Sequence, residues 1–264
     1  MNKKQVQQVL KEQKIRPVKK LGQNFLVNTS LIQRIVKAIQ KQSPPFVEVG
    51  PGLGALTQYF KKKEIFLIEK DKKLANYWYQ KDWTVFCEDA LRFNWSLLPK
   101  KFTLFGNLPY EIASSLIIQF SVQQKQSDKM FFLIQKEVAE RIKAEVGSKN
   151  YSLLSVMAQS FWSISNLFSI PKNDFYPVPK VDGRFLEFTA KKFNSNICPD
   201  LFFQFVKKCF QFKRKMLFKK LDIPSPKDTL KDLGLDVKCR AENLSSEKFL
   251  QLYVKIREKT NFSK

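Results

Sequence analysis

The chain has no histidine. That absence excludes a Ser-His-Asp or Cys-His nucleophile, histidine metal sites and histidine as a general base, so any chemistry must use Asp, Glu, Lys, Tyr, Asn or backbone groups. Cysteine is sparse as well. Cys87, Cys198, Cys209 and Cys239 are scattered and form no CxxC pair, which argues against a disulfide framework or a thiolate zinc site, and no metal is expected. Long apolar runs are also missing: none reaches the roughly 20 residues needed to span a bilayer. The basic amino terminus leads into no apolar signal core, because Val6–Val18 is rich in Gln and Lys. Together these absences predict a cytoplasmic protein.

Negative charge is the remaining shortage. Lys and Arg number 47 against 24 Asp and Glu, a net charge of +23. Such an excess is the footprint of a polyanion binder. An AT-rich coding bias also enriches Lys, Asn and Phe and would explain part of it. No stretch joins a strong apolar face to a Lys-rich one, so a membrane surface is the weaker partner. A chain of 264 residues with 44% hydrophobic content suits one large domain, or one with a smaller companion, and is not globally disordered.

Residues 1–20 carry Lys3, Lys4, Lys11, Lys14, Arg16, Lys19 and Lys20 against the single acid Glu12, and read as a flexible or partly helical basic arm. Leu31, Ile32, Ile35, Val36 and Ile39 then recur at helical spacing. From Phe46 short apolar runs alternate with helical patterns. Strands are expected at 46–49, 65–68, 84–87, 102–105 and 130–134, with helices at 55–62, 72–80, 111–122 and 136–143. That alternation predicts a doubly wound, Rossmann-like α/β sheet. A further helix at 152–161 and late strands at 164–170 and 184–188 complete a domain over 21–190. Residues 191–264 read as a small helical domain whose 201–221 pattern is loaded with Lys and Arg, including Arg214, Lys215 and Lys219.

Glu48-Val49-Gly50-Pro51-Gly52-Leu53-Gly54-Ala55 is a glycine-rich turn between a predicted strand and helix, where the backbone can pass close to a ligand. It also satisfies a relaxed dinucleotide fingerprint, and Glu69 follows about 20 residues on, as that fingerprint expects of an acid that grips ribose hydroxyls. NAD and S-adenosylmethionine both fit. Glu48 inside the motif and Asp89 after the third strand favour the methyl donor, the latter as an acceptor for an adenine amine. At a fourth strand end, Asn107-Leu108-Pro109-Tyr110 joins an amide, a rigid backbone and an aromatic face, which suits a flat ring bearing an amine. An ordinary Asn-Pro turn is the plainer reading of that tetrapeptide alone.

These stretches, taken with others, resemble the small-subunit rRNA adenine dimethyltransferase family along nearly the whole chain. The resemblance rests on GQNFL at 22–26, EVGPGLGALT at 48–57, IEKD at 68–71, EDA at 88–90 and GNLPY at 106–110. It continues with FLIQKEVAERI at 132–142, LSVMAQ at 154–159, FYPVPKVD at 175–182, FKRKML at 212–217 and RAENLSSEKF at 240–249. It implies an S-adenosylmethionine-dependent enzyme that dimethylates two adjacent adenosines in a 3'-terminal hairpin loop of small-subunit rRNA, acting as a monomer on a particle under assembly. It also implies a donor site of Gln23, Asn24, Leu26, Gly50, Glu69, Asp89 and Asn107. The amine would be met by oxygens of Asn107 and Leu108, with Pro109 stiffening the turn. Tyr110 would stack on one face of the base and Phe175 on the other. No strong base is needed, because the amine becomes very acidic once alkylated.

Two positions depart from the family pattern: Ser152 stands where Gly is usual, and Gly183 where Ser is usual. Three other readings compete. The large-subunit rRNA adenine methylase of macrolide resistance shares the glycine loop but usually has Ile where this chain has Leu108. An rRNA-binding assembly or transcription factor would have this fold without activity. An NAD-dependent oxidoreductase is disfavoured by the tetrapeptide and the charge.

Overall fold

The computed structural model describes residues 1–18, 22–123, 126–192, 197–211 and 215–261, the side chains of Tyr110, Glu111, Thr260 and Asn261 excepted. In chain order the helices are α1 (Lys3–Glu12), α2 (Thr29–Ile39), α3 (Lys72–Tyr79), α4 (Tyr110–Val122), α5 (Lys136–Ile142), α6 (Leu153–Phe161), α7 (Pro199–Phe210), α8 (Pro226–Asp232) and α9 (Ser246–Asn261). The strands are β1 (Phe25–Leu26), β2 (Phe46–Val49), β3 (Ile65–Ile68), β4 (Val85–Phe86), β5 (Thr103–Asn107), β6 (Lys129–Gln135), β7 (Trp162–Ile170), β8 (Phe175–Tyr176) and β9 (Gly183–Ala190).

Apolar patterning explains most of these elements. The five periodic residues of α2, from Leu31 to Ile39, are all buried, and Asn28 starts that helix by accepting the Leu31 amide. Strands β2, β5 and β6 are buried nearly throughout, as strands covered on both faces must be. The main sheet runs β4-β3-β2-β5-β6-β9-β7. Pairing is parallel from β4 through β6, and β9 joins β6 antiparallel. The order reverses between β2 and β5, and the crevice beyond the carboxyl ends at such a switch point is where open α/β sheets bind ligands.

Two expected helices differ. The stretch 55–62 holds only short 3-10 turns at Thr57–Tyr59 and Lys62–Glu64. Positive φ at Gly50, Gly52 and Gly54 coils the chain tightly, and the Thr57 hydroxyl ties the loop back to Glu48 before an α-helix can develop. The long pattern 201–221 is likewise broken. The α7 helix stops at Phe210, and Leu217–Lys220 is a 3-10 turn in which Lys220 is buried and donates to the Cys209 carbonyl.

Two compact units result. The first comprises Met1–Phe120, Gln124–Ala139 and Ile164–Ala190; the second, Ser121–Gln123, Glu140–Ser163 and Lys191–Lys264. The second unit therefore includes α6 along with the carboxy-terminal helices. Its core is aromatic, with Phe161 edge-on to Phe202, and Phe210 stacked on Phe249. At Ser152, φ is −157°, an ordinary extended value, and the residue caps α6 with its amide on the Ser155 hydroxyl; nothing there requires glycine. No helix among the described residues is long and apolar enough to cross a membrane.

Candidate functional site

Gly50, Glu69 and Leu108 each lie one residue past the carboxyl end of a parallel strand and remain tied to the neighbouring one. The Gly50 amide donates to the Ile68 carbonyl at 2.9 Å, Glu69 to Phe86 at 3.0 Å and Leu108 to Leu133 at 2.9 Å. The sheet thus sets the spacing of the turns that carry the candidate residues. They surround a cleft of about 1150 Å³ including its open mouth, whose wall contains Gln23, Asn24, Leu26, Gly50, Glu69, Asp89 and Asn107. All seven residues assigned to a donor site by resemblance are therefore brought together.

Gly54, beside this wall, and Gly52, within it, both pack closely on Trp78. A Cβ on Gly54 would fall 2.5 Å from the Trp78 ring, whose indole nitrogen donates to the Gly52 carbonyl at 2.9 Å. The Gly52 amide in turn points at Glu69 Oε2, 3.3 Å away, while Oε1 accepts the Asp71 amide at 2.9 Å. Burial pushes the Glu69 carboxyl up to about 7, although both amide bonds pull the other way. Glu48 is 2% exposed and accepts the Thr57 hydroxyl at 2.7 Å. Burial raises it to about 8; the Thr57 bond opposes this and the Glu69 charge adds to it. Asp89 is more open. Burial works against its charge, but the Lys70 ammonium at 2.9 Å, the Leu91 amide and Arg92 together hold the carboxyl below its usual value.

Two buried acids with raised pKa values make the stability of the ligand-free chain fall with pH. Each holds a proton in the folded state between about 4.5 and its folded value that the unfolded chain has already released. Their contribution is complete below about 4.5 and is lost as pH rises through about 7 for Glu69 and about 8 for Glu48. At roughly 1.4 kcal/mol per pKa unit, neutral pH costs on the order of 3 kcal/mol at Glu48. Glu48→Gln, which retains an acceptor for Thr57, is expected to flatten denaturant-unfolding stability plotted from pH 5 to 8.5. An unchanged slope would mean that Glu48 is ionised in the folded chain.

The strap 22–26 lies on the Asn-Leu-Pro-Tyr turn. Asn107 Nδ2 donates to the Asn24 carbonyl at 2.8 Å, and a Cβ on Gly22 would come 2.8 Å from Pro109 Cβ. With its nitrogen so committed, the Asn107 amide presents Oδ1 as its other end. Pro109 precedes α4, and its carbonyl takes the Ile112 and Ala113 amides of the first helical turn. The Tyr110 side chain lies outside the described residues.

A second cleft adjoins the first and shares Asn24, Asn107 and Pro109 with it; its wall also contains Leu108, Phe175, Val181 and Gly183. Phe175 is only 4% exposed and packs into the core, so it offers this cleft a rim rather than an open face. Strand β8 pairs antiparallel with β1, placing Leu26 opposite Phe175. A Cβ on Gly183 would meet only the Leu133 side-chain tip under 3.4 Å. In the second unit Lys215 and Lys219 are exposed, while Arg214 lies outside the described residues.

Sequence reasoning missed several contributors. Met1 and Val6 line the first cleft, because Val6 and Leu10 of α1 are buried with Ile15, Phe25, Leu53 and Leu74. The spacing of Val6 and Leu10, four apart, was the available signal. Lys70, paired with Asp89, carried none.

Residues 14–258 match the ribosomal RNA adenine dimethylase family. The ribosomal RNA small subunit methyltransferase A of Bdellovibrio bacteriovorus is 40% identical over 250 residues, covering 89% of this chain and 90% of that protein. Among solved structures, a dimethyladenosine transferase from Plasmodium falciparum superposes with a TM-score of 0.76 at 25% identity, over 89% of this chain and 98% of that one. The 23S rRNA methyltransferase ErmE shares the fold, with a TM-score of 0.65 at 22% identity over 89% of this chain and 100% of that one. The chain belongs to the ribosomal RNA adenine dimethylase family.

Proposed function

We propose that this protein dimethylates the exocyclic amine of two adjacent adenosines in a hairpin loop near the 3' end of small-subunit rRNA, using S-adenosylmethionine. The observation that carries the reading is the pair of adjoining clefts that meet at Asn107 and Pro109: one lined by acids, the other lined by Leu108 and Phe175. The first cleft fits the donor, which bears ribose hydroxyls, an adenine amine and positive charge. Glu69 suits the hydroxyls, Asp89 the amine, and the Gly50 turn admits close backbone approach, with Gln23, Asn24 and Leu26 closing the strap side. When bound, the donor supplies an electrophilic methyl group.

The chain's own residues orient the acceptor. An adenine amine is a poor nucleophile because its lone pair is delocalised into the ring. Asn107 Oδ1 and the Leu108 carbonyl accept its two N–H bonds and draw the nitrogen toward tetrahedral geometry. Tyr110 is assigned one face of the base and Phe175 an edge of the other; stacking on an aromatic contributes about 1–3 kcal/mol per base. Rate comes mainly from positioning, and a chain without histidine can supply that.

The substrate is proposed to be a small subunit under assembly, met by a monomer in the cytoplasm. Supplying labelled donor to unmethylated small and large subunits tests the function. Label recovered as dimethyladenosine in small-subunit RNA is expected; label in large-subunit RNA would favour the macrolide-resistance type of methylase.

Arg214, Lys215 and Lys219 are proposed to bind phosphates, supported by the exposure of the two described lysines. Neutralising all three is expected to weaken RNA binding and reduce the slope of log K against log salt by up to about 0.7–0.9 for each phosphate no longer neutralised. An unaltered slope would move the RNA-binding surface to another basic segment.

A further inference from the structure

We propose that Val178 is a wedge that enters the RNA stack beside the extruded adenosine, making it a positioning residue for the methylation described above. The inference rests on that functional reading and adds to it the means by which the target base is kept out of its helix.

Val178 is 53% exposed. Exposed valines are common and alone mean little; the placement of this one is unusual. It is absent from the wall of the second cleft but stands next to Pro179, which lines it, and three residues beyond Phe175, which also lines it. The residue therefore adjoins the wall of the cleft proposed to receive the base while remaining open to solvent. A residue that filled the gap left by that base would have to be there.

The segment is also stiff, as a wedge requires. Pro177 and Pro179 flank Val178, each with its φ set by the ring, and the β-branched valine has few side-chain rotamers. On the amino-terminal side the segment is anchored by β8, with Phe175 opposite Leu26 and Tyr176 opposite Phe25. On the carboxy-terminal side Asp182 accepts the Lys172 amide on Oδ1 at 3.0 Å and the Lys136 amide on its carbonyl at 2.9 Å. An apolar tip held at both ends keeps its position when RNA arrives. Exposed Lys172 and Lys180 lie close in sequence and supply charge for the neighbouring phosphates.

The chemistry requires such a group. A base that leaves its stack to reach an active site loses stacking, and enzymes that bend or open nucleic acids commonly offset that loss by inserting an apolar side chain between base steps. Asn107 and Leu108 act on the amine only after extrusion. Val178 acts on the equilibrium before it.

The test compares Val178→Ser and Val178→Ile with the parent chain. With unmethylated small subunits, Val178→Ser is expected to lower kcat at least tenfold, while KM for subunits and the dissociation constant of S-adenosylhomocysteine stay within about twofold. Val178→Ile should restore kcat, because it keeps an apolar, β-branched tip. In a hairpin RNA with two adjacent loop adenosines, one replaced by 2-aminopurine, the parent chain should raise the fluorescence on binding, and Val178→Ser should largely abolish that rise. Unchanged kcat in Val178→Ser, or a full fluorescence rise with it, overturns the wedge. A parent chain inactive on small subunits would instead defeat the functional reading itself.

Discussion

Asn107→Ala is expected to reduce methyl transfer to unmethylated small subunits by at least about 100-fold, the loss typical when one oriented group facing the reacting atoms is removed. The loss follows from the two ends of one amide. Nδ2 is committed to the Asn24 carbonyl at 2.8 Å, which fixes the side chain and anchors the strap 22–26 over the cleft. Oδ1 is then the end that can accept a hydrogen bond from the substrate amine. Alanine removes both, so kcat should collapse while affinity for S-adenosylhomocysteine weakens only several-fold and RNA affinity is unaltered. Folding should survive, because one lost hydrogen bond costs about 1 kcal/mol. Asn107→Asp separates the ends: it keeps an acceptor but faces the Asn24 carbonyl with an oxygen, so the strap loosens and donor affinity falls further than with alanine. Methyl transfer by Asn107→Ala within tenfold of the parent chain would remove Asn107 from the reacting centre.

How much of this was legible in the sequence depended on whether the relevant interaction was local. Glu69, Asp89 and Asn107 could be placed because alternating apolar runs mark strand ends, and strand ends in a parallel sheet converge on one edge. The glycine loop was readable as a loop, but not as one that prevents the helix expected at 55–62. That outcome depends on the bond from Thr57 to Glu48, nine residues apart and buried. The recruitment of 140–163 to the second unit was hidden for the same reason: it follows from aromatic packing, such as Phe161 on Phe202, between distant segments. Phe175 had the right address for a stacking ring, yet sequence could not show that the ring would be drawn into the core. The lysines of 207–220 looked uniform, and only packing separates buried Lys220 from exposed Lys215 and Lys219.

Gly106 supplies the other large effect, and it acts through the same switch point. A Cβ added there would lie 2.4 Å from the Val49 carbonyl oxygen, and a strand carbonyl cannot swing aside as a side chain can. The register of β2 on β5 pairs Glu48 with Phe105, so the next step sets Val49 beside Gly106, where the two strands deliver Gly50 and Asn107 to the cleft. Gly106→Ala must therefore push β5 away from β2 at the position where the donor and base clefts meet. Overpacking of this kind costs about 1–3 kcal/mol, which in a chain of this size lowers the thermal midpoint by roughly 2–12 °C. Affinity for S-adenosylhomocysteine should fall at least tenfold, because Gly50 and Asn107 both lie in the donor wall. Gly183→Ser is the matched control. Its Cβ would meet the Leu133 side-chain tip at 3.1 Å, a group that can yield, so stability and affinity should hardly move. If Gly106→Ala instead tracks the parent chain in both measurements, the approach of β2 and β5 is looser than these distances require, and the spacing of the two clefts is set elsewhere.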